Sequence, residues 1–145
     1  MNVYIVPDGQ IIGRQNFVLN GKQHRANALD KQATRSALGI VAAETRAGYD
    51  IAIDGTAEDG WRYEATQTVD DLRETLVAQV KSRAHALLAA TDWYVTRQAE
   101  TAEAVPGEVT AARAAIRATA DTNEAALAAI ADYDELLAWS ASRPE

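Results

Sequence analysis

The sequence predicts an α+β protein in which a small, mostly antiparallel β-module is followed by an α-helical hairpin or a three-helix segment. Seven of the eight glycines lie in residues 1–68, whereas residues 69–145 contain a single glycine, Gly107. Short runs separated by glycine are typical of strands and turns, and glycine-poor, alanine-rich runs are typical of helices. Sixteen alanines lie between Ala99 and Ala141. We therefore expect two structurally different parts, 1–68 and 69–145.

Turn residues mark the first predicted strand and the first predicted hairpin. Residues 3–6 form an extended run that ends at a Pro-Asp-Gly sequence in residues 7–9. This sequence favours a turn because proline fixes φ and glycine accepts positive φ. Residues 17–24 are predicted to form a β-hairpin around Asn20-Gly21. Asn-Gly favours a type I′ turn, in which both central residues have positive φ.

One short helix and two further strands complete the predicted module. Asp30 is placed to cap a helix that runs through Leu38, and Gly39 stands where a C-terminal glycine is expected. Residues 49–53 and 61–65 have the composition of strands and flank a loop that begins at Asp54. The module would then hold a five-stranded sheet. At this size such a sheet is marginal without a neighbour or a partner.

The second half begins with a helix capped at Thr68. Asp71 stands three residues later, as in a capping box with Asp in place of Glu. Tyr94 continues the apolar stripe of this helix, so the helix either runs through Thr91 to about Glu103 or is interrupted at Thr91, and Pro106 must end it. The stripe recurs in steps of three and four residues, at Val69, Leu72, Leu76, Val80, Ala84, Leu87 and Leu88.

Two further helices are predicted after Pro106. The first has about a dozen residues, and a second capping-box sequence at 121–124 (Asp-Thr-Asn-Glu) then predicts a separate helix that runs to about Trp139. These helices would pack as a hairpin or as a three-helix segment, or their alanine-rich faces would pair between copies of the protein. The inward-facing residues of the last helix are expected to be Leu127, Ile130, Tyr133 and Leu137.

Composition excludes several classes of function. The chain has no cysteine, so disulfides, thiolate metal sites and cysteine nucleophiles are excluded. Its 14 basic and 21 acidic residues give a net charge of −7, which argues against nucleic-acid binding. No apolar run approaches the length that spans a bilayer, and the N-terminus lacks the pattern of a signal peptide. We expect a soluble, intracellularly made protein without a nucleic acid, membrane or small-molecule partner.

No residue pattern predicts catalysis, a cofactor site or a metal site. His24 and His85 have no carboxylate at a metal-binding spacing, and no serine stands in a nucleophile elbow. The acidic loop with Asp54, Glu58 and Asp59 lacks the alternating ligands of a calcium-binding loop, so we interpret it as a solvated turn. We therefore expect a protein that is not an enzyme and that needs no cofactor.

Four residues are candidates for a protein interface: Trp93, Tyr94, Arg97 and Trp139. Trp93 and Tyr94 lie about 100° apart on a helix, and only Tyr94 fits the apolar stripe. Trp93 would lie either in the core or in a contact with another chain, where aromatic residues are enriched. Trp139 has the same two interpretations. Three carboxylates in residues 132–135 lie near the end of the last predicted helix, where they face either solvent or a basic partner.

Two stretches of the chain carry distinctive motifs. The first spans residues 17–29, beginning with Phe-Val-Leu-Asn-Gly, and continues with Thr-Arg-Ser-Ala-Leu-Gly-Ile at 34–40. The second spans residues 87–97 and reads Leu-Leu-Ala-Ala-Thr-Asp-Trp-Tyr-Val-Thr-Arg. It is followed at intervals by Glu100, Val105, Pro106, Arg113 and Arg117.

The first stretch resembles a segment of small tail proteins of tailed bacteriophages, and the second resembles the C-terminal segment of phage tail-fibre assembly and tail-fibre-associated proteins. The resemblance implies a non-enzymatic structural component of a phage or phage-like tail, at the fibre or baseplate end. Its partners would be tail-fibre or baseplate proteins and further copies of the same chain in a symmetric assembly.

The resemblance also implies an alternative function. The chain would then be an assembly chaperone that binds the fibre tip, helps it to fold and is not necessarily retained in the particle. Either protein would be made in the cytoplasm of the host bacterium, and the structural component would end in the virion tail.

Overall fold

The computed structural model describes residues 2–142 and shows an α+β chain. Antiparallel strands in small sheets occupy the N-terminal part, and helices occupy most of the rest. The predicted fold class is therefore confirmed. The chain divides into two compact units, Met1–Thr66 and Gln67–Glu145, which we call the β-unit and the helical unit.

Within its described residues, the β-unit holds seven strands in three small sheets, rather than the predicted five-stranded sheet. The strands are β1 (Asn2–Ile5), β2 (Ile11–Ile12), β3 (Phe17–Leu19), β4 (Lys22–His24), β5 (Val41–Glu44), β6 (Tyr49–Ile53) and β7 (Trp61–Ala65). One sheet has the order β2-β1-β5, and the pairs β3–β4 and β6–β7 form separate hairpins. All pairs are antiparallel.

Strands β2 and β5 are the two that the sequence does not predict. β2 has two residues, too few for an alternating pattern, and pairs through Ile12 with Tyr4 of β1. β5 contains Ala42 and Ala43, which have low strand propensity. Both strands are stabilised by pairing with β1. For β5 this pairing is non-local and leaves no local signal in the sequence, whereas β2 pairs with β1 across a short turn.

The main part of the β-unit core is one apolar cluster, and Ile5 and Ala43 are buried outside it. Phe17 and Leu19 of β3 are buried, while Val18 between them is 64% exposed, as expected for a strand with one face toward the core. Leu29 is fully buried, and its carbonyl accepts a 2.6 Å hydrogen bond from the guanidinium of Arg35. The buried members of the cluster are Tyr4, Val6, Phe17, Leu19, Leu29 and Ile40.

The predicted turn at Asn20-Gly21 is confirmed. Asn20 has φ 51° and Gly21 has φ 74°, so both central residues have the positive φ that a type I′ turn requires. The register of the flanking strands pairs Leu19 with Lys22 directly across the two-residue loop. The local sequence thus determines both the turn and the register of β3 and β4.

Replacing Gly21 by valine is expected to lower the free energy of unfolding by about 1–2 kcal/mol, because a β-branched residue is strained at positive φ. A Cβ added at Gly21 meets no atom within 4 Å, so the cost would come from the backbone alone. Urea denaturation measures the effect. Gly13→Val is the matched control, because Gly13 has equally open surroundings without a positive φ. Equal stability of the two variants would contradict the prediction.

The predicted helix from Asp30 to Leu38 is only partly correct. A 3₁₀ turn covers Ala26–Leu29, and helix α1 covers Gln32–Ala37. Asp30 does not cap α1, because its carboxylate accepts hydrogen bonds of 2.9 and 2.7 Å from the guanidinium of Arg14. Gly39 follows the helix with φ 67°, as predicted.

The helical unit contains α2 (Val69–Ala89), α3 (Asp92–Thr101), α4 (Gly107–Ala129) and α5 (Tyr133–Ala141). The capping box at Thr68 is confirmed: the Thr68 hydroxyl accepts a 3.1 Å bond from the Asp71 amide, and the Asp71 carboxylate accepts a 3.3 Å bond from the Thr68 amide.

One helix boundary that the sequence leaves open is decided by the structure, and another differs from the prediction. α2 ends at Ala89, so the helix does not run unbroken through Thr91 to Glu103. α4 runs through residues 121–124, where a new helix was expected to begin. In this sequence the Thr122 hydroxyl bonds to the carbonyl of Ala118, one turn earlier in the same helix, instead of helping to cap a new one.

The last helix is capped at Asp132 instead. Its carboxylate accepts a 3.1 Å bond from the Glu135 amide. Asp134 and Glu135 therefore lie in the first turn of α5, where the helix dipole favours acidic side chains, and not at the end of a helix as expected. Leu136 is the fully buried leucine of α5, whereas Leu137, which was predicted to face inward, is only partly buried.

α2 and α4 form an antiparallel helical hairpin. Arg73 near the start of α2 contacts the end of α4, and the end of α2 contacts Arg113 in the first half of α4. Lys81 and Glu124 form an ion pair at 3.3 Å between the two helices. α5 packs against α2. The buried apolar residues of the unit are Leu72, Leu76, Val80, Leu127, Tyr133 and Leu136. Within residues 2–142, no helix has the length and apolar character needed to cross a membrane.

Candidate interaction site

A buried arginine joins the end of α2, the start of α3 and the first half of α4. Arg113 is 9% exposed, and its Nη1 atom donates hydrogen bonds to the Leu88 carbonyl at 2.9 Å and to the Thr91 hydroxyl at 2.6 Å. Its Nη2 atom donates to the Asp92 carboxylate at 2.9 Å. We call this set of four residues the Arg113 bracket. Both terminal nitrogens of the guanidinium are therefore used, which a lysine ammonium could not reproduce.

The Arg113 bracket accounts for the break between α2 and α3. The Leu88 carbonyl also accepts bonds from the amide and the hydroxyl of Thr91, both at 3.0 Å. Thr91 has φ −118° and ψ 4°, outside the helical region, and α3 begins at the next residue. The last carbonyls of a helix have no partner within the helix and attract cations, so a guanidinium at Leu88 favours ending the helix here.

A second arginine binds backbone carbonyls at the opposite end of the hairpin. Arg73 of α2 donates from Nε to the Leu127 carbonyl at 3.2 Å and from Nη2 to the Ile130 carbonyl at 2.9 Å. It also forms an ion pair with Asp70 one turn earlier. Each helix of the hairpin thus supplies an arginine that binds carbonyl groups at the C-terminal end of the other.

Three of the four predicted interface residues lie together on α3. The ring centroids of Trp93 and Tyr94 are 3.9 Å apart, and the Arg97 guanidinium carbon lies 4.9 Å from the Trp93 centroid and 5.4 Å from the Tyr94 centroid. Arg97 also forms a 3.2 Å ion pair with Glu103. We call Trp93, Tyr94 and Arg97 the aromatic cluster. Trp139 lies on a different helix, α5, where it is partly buried.

The aromatic cluster is accessible at its tryptophan. Trp93 is 51% exposed, whereas Tyr94 and Arg97 are partly buried. Trp93 is therefore not a core residue of this chain, which was one of its two interpretations. Val95, on the same helix, is 46% exposed. The three side chains thus form a surface patch that is accessible at the Trp93 ring.

An apolar groove runs along the hairpin between α2 and α4. Alanines on both helices, including Ala84 and Ala120, leave it unfilled, and Leu87 at its edge is 52% exposed. Arg83 and Asn123 supply polar groups at its sides. Such a groove can accommodate an apolar side chain.

The other residues considered for chemistry have local roles. The His24 ring stacks on Phe17 with centroids 5.0 Å apart, and His85 is exposed on α2. The Asp54 carboxylate accepts bonds from the amide and hydroxyl of Thr56, at 2.9 and 2.6 Å, within its own turn. Among residues 2–142, no three His, Asp or Glu side chains form a group that could hold a metal ion.

The pKa of Asp54 is below its ordinary value, chiefly because the carboxylate accepts hydrogen bonds from Thr56, with Arg62 adding a smaller attraction. Replacing Thr56 by valine is expected to raise this pKa toward the ordinary range, because the hydroxyl donor is lost. Since the folded-state pKa is depressed, the turn contributes stability at neutral pH, and this contribution is lost as pH falls through the folded-state pKa. Carboxyl-detected NMR titration measures the pKa; an unchanged value in the variant would contradict the prediction.

The roles of Arg73 and Arg113 are the main features that the sequence reasoning misses. Arg113 appears in the motif that carries the resemblance, but nothing in its spacing indicates which groups it binds. For Arg73, the three-residue spacing from Asp70 is the available signal, and it indicates only their ion pair.

No family model matches this chain, and neither the curated proteins nor the solved structures include one that is detectably similar to it.

Proposed function

We propose that this protein is a non-enzymatic structural component of a bacteriophage or phage-like tail, at the fibre or baseplate end, and that it acts by protein–protein contacts. The observation that carries the proposal is the Arg113 bracket. Leu88, Thr91 and Asp92 belong to the motif that resembles tail-fibre-associated proteins, and Arg113 is the arginine that follows this motif. In the fold these four residues bind one another.

This geometry supports the proposal, because residues of the motif that are far apart in the sequence contact one another in the fold. Arg113 lies 22 residues after Thr91 and 21 residues after Asp92, and it donates a hydrogen bond to each of them.

The aromatic cluster is the surface through which we propose that the protein binds. Trp93 directly follows Asp92 of the Arg113 bracket, so the bracket fixes the position of the first turn of α3 and of this tryptophan. Exposed, ordered tryptophan and arginine side chains are frequent centres of binding energy at interfaces. The partners would be tail-fibre or baseplate proteins and further copies of the chain, because tail parts assemble symmetrically.

An assembly chaperone is the alternative, and the resemblance to tail-fibre assembly proteins supports it. Such a protein would bind the fibre tip through the same surface and help it to fold without remaining in the particle. The two functions differ in the fate of the chain and not in its chemistry. No catalytic residue is part of either.

Quantitative mass spectrometry of purified particles distinguishes the two functions. Particles of the phage that encodes the chain are compared with particles made when its gene is deleted, and the chain is counted against the major tail proteins. A fixed ratio in multiples of three or six supports a structural component. Absence from particles, together with loss of infectious particles on deletion, supports the chaperone. Absence without an assembly defect would contradict both.

Replacing Trp93 by alanine is expected to weaken incorporation or partner binding at least about ten-fold, since an exposed aromatic anchor is lost. The free energy of unfolding should fall by less than about 1 kcal/mol, because half of the side chain is already in solvent. The chain content of particles measures the first effect, and urea denaturation measures the second. Val95→Ala, an exposed change on the same helix, is the control. If the weaker binding of Trp93→Ala is fully explained by its lower free energy of unfolding, Trp93 has no interface role.

A further inference from the structure

The break between α2 and α3 lies in a sequence that contains no residue incompatible with a helix. Residues 69–101 contain no proline and no glycine, and two alanines, Ala89 and Ala90, directly precede the break. Alanine is the strongest helix former, and Ala90 itself has helical angles, φ −59° and ψ −21°. Thr91 is the one residue between α2 and α3 with clearly non-helical angles. A rotation of about 50° in each of its two backbone angles would join the helices.

The Arg113 bracket holds the start of α3 in its present direction. None of the ten residues of α3 is buried, and a helix of this length is marginal in water without tertiary packing. The ion pair and cation–π contacts of Arg97 lie within α3 and the segment that follows it. The contacts of Arg113 with Thr91 and Asp92 are therefore the main polar links between α3 and α4.

A straight helix would join two apolar surfaces that the bend separates. Leu87 and Tyr94 are seven residues apart, so on a continuous helix they lie within about 20° of each other. Leu87 already lines the groove between α2 and α4 together with Val80 and Ala84. On a straight helix, the apolar face that contains Leu87 would continue for two more turns, and the aromatic cluster would lie in line with it.

We propose that α2 and α3 form a two-state element: a bent state held by the Arg113 bracket, and a straight state in which residues 69–101 form one helix. The straight state loses the bonds from Arg113 and regains the helical bond from the Asp92 amide to the Leu88 carbonyl. A partner that packs along Leu87 and Tyr94 together binds the straight state better and shifts the population toward it. The proposal goes beyond the proposed function and does not depend on it.

Pulsed electron paramagnetic resonance on the full chain tests this proposal. The protein has no cysteine, so Ser82→Cys and Glu100→Cys introduce two unique spin-label sites. Both residues are exposed, and they are 18 residues apart, which places the labels on the same side of a straight helix at about 27 Å. In the otherwise unchanged chain we expect a main distance different from this value. Arg113→Ala should move the main population to about 27 Å and raise the straight-to-bent ratio at least ten-fold.

Two further variants make the result decisive. Arg117→Ala removes an exposed arginine from the next turn of α4 and should leave the distance distribution unchanged. Thr91→Ala keeps Arg113 but removes the hydroxyl that it binds, and it raises helix propensity at the break. It should give a smaller shift in the same direction, and it decides the outcome if Arg113→Ala does not fold. A folded Arg113→Ala or Thr91→Ala protein with the original distances would overturn the proposal, whatever particle composition shows about function.

Discussion

Replacing Arg113 by alanine is expected to lower the free energy of unfolding of the helical unit by about 2–3 kcal/mol. Three hydrogen bonds are lost, one of them to a carboxylate, and the buried stem of the arginine leaves unfilled space. For a unit of this size, the loss corresponds to a fall in melting temperature of roughly 10–20 °C. Urea and thermal denaturation, followed by circular dichroism, measure both quantities.

The position of Arg113 in the fold determines the controls for this prediction. Arg117→Ala deletes an exposed arginine of the same helix and should change stability by less than about 0.5 kcal/mol. Arg113→Lys retains the charge but cannot bind the Leu88 carbonyl and both side chains in the same geometry. It should recover less than half of the loss. A stability equal to that of the unaltered chain in Arg113→Ala would show that the bracket does not stabilise the hairpin.

Replacing Leu29 by alanine is expected to lower the free energy of unfolding of the β-unit by about 3–4 kcal/mol. Leu29 is fully buried in the main apolar cluster of this unit, so the change removes buried methyl groups and leaves a cavity. A small sheet-forming unit has little stability in reserve. We therefore expect partial or complete unfolding of β1, β3 and β5, measured as loss of amide hydrogen-exchange protection.

Val18→Ala is the matched control for Leu29→Ala. It also shortens an aliphatic side chain in this unit, but at a position that is 64% exposed, and it should cost less than about 1 kcal/mol. If the amide protons of β1 remain protected from exchange in Leu29→Ala to the same extent as in Val18→Ala, the stability of this sheet does not depend on the apolar cluster.

The parts of the fold that the sequence predicts correctly are those with a local chemical cause. The turn at Asn20-Gly21 depends on two residues that tolerate positive φ, and the start of α2 depends on Thr68 and its reciprocal bonds with Asp71. Both can be identified within four residues of sequence.

The parts that the sequence does not predict depend on residues far away in the chain. The end of α2 is fixed by Arg113, more than twenty residues later, and the end of α4 is bonded by Arg73, more than fifty residues earlier. The helical periodicity of the sequence does not indicate these contacts. The capping-box sequence at 121–124 is the reverse case. It is a local signal for the start of a helix, but these residues lie inside α4, which packs against α2.

The candidate site also has one feature that the sequence predicts and one that it does not. Trp93, Tyr94 and Arg97 are neighbours by helical spacing, so their proximity follows from the sequence once α3 is a helix. The exposure of Trp93 does not follow from the sequence, because it depends on the residue at which α3 begins and on the direction of the helix axis. That is set by the Arg113 bracket, which no pattern of spacing or composition indicates.

The pair of arginines at the two ends of the hairpin restricts how this protein can change in length. Arg73 and Arg113 each bind the last carbonyls of the opposite helix, so α2 and α4 must keep their present extent between these points. One inserted residue would rotate everything beyond it by about 100° and displace it by about 1.5 Å along the axis. Insertions and deletions should therefore be tolerated in residues 102–106, between α3 and α4, and selected against within the paired portions of the two helices.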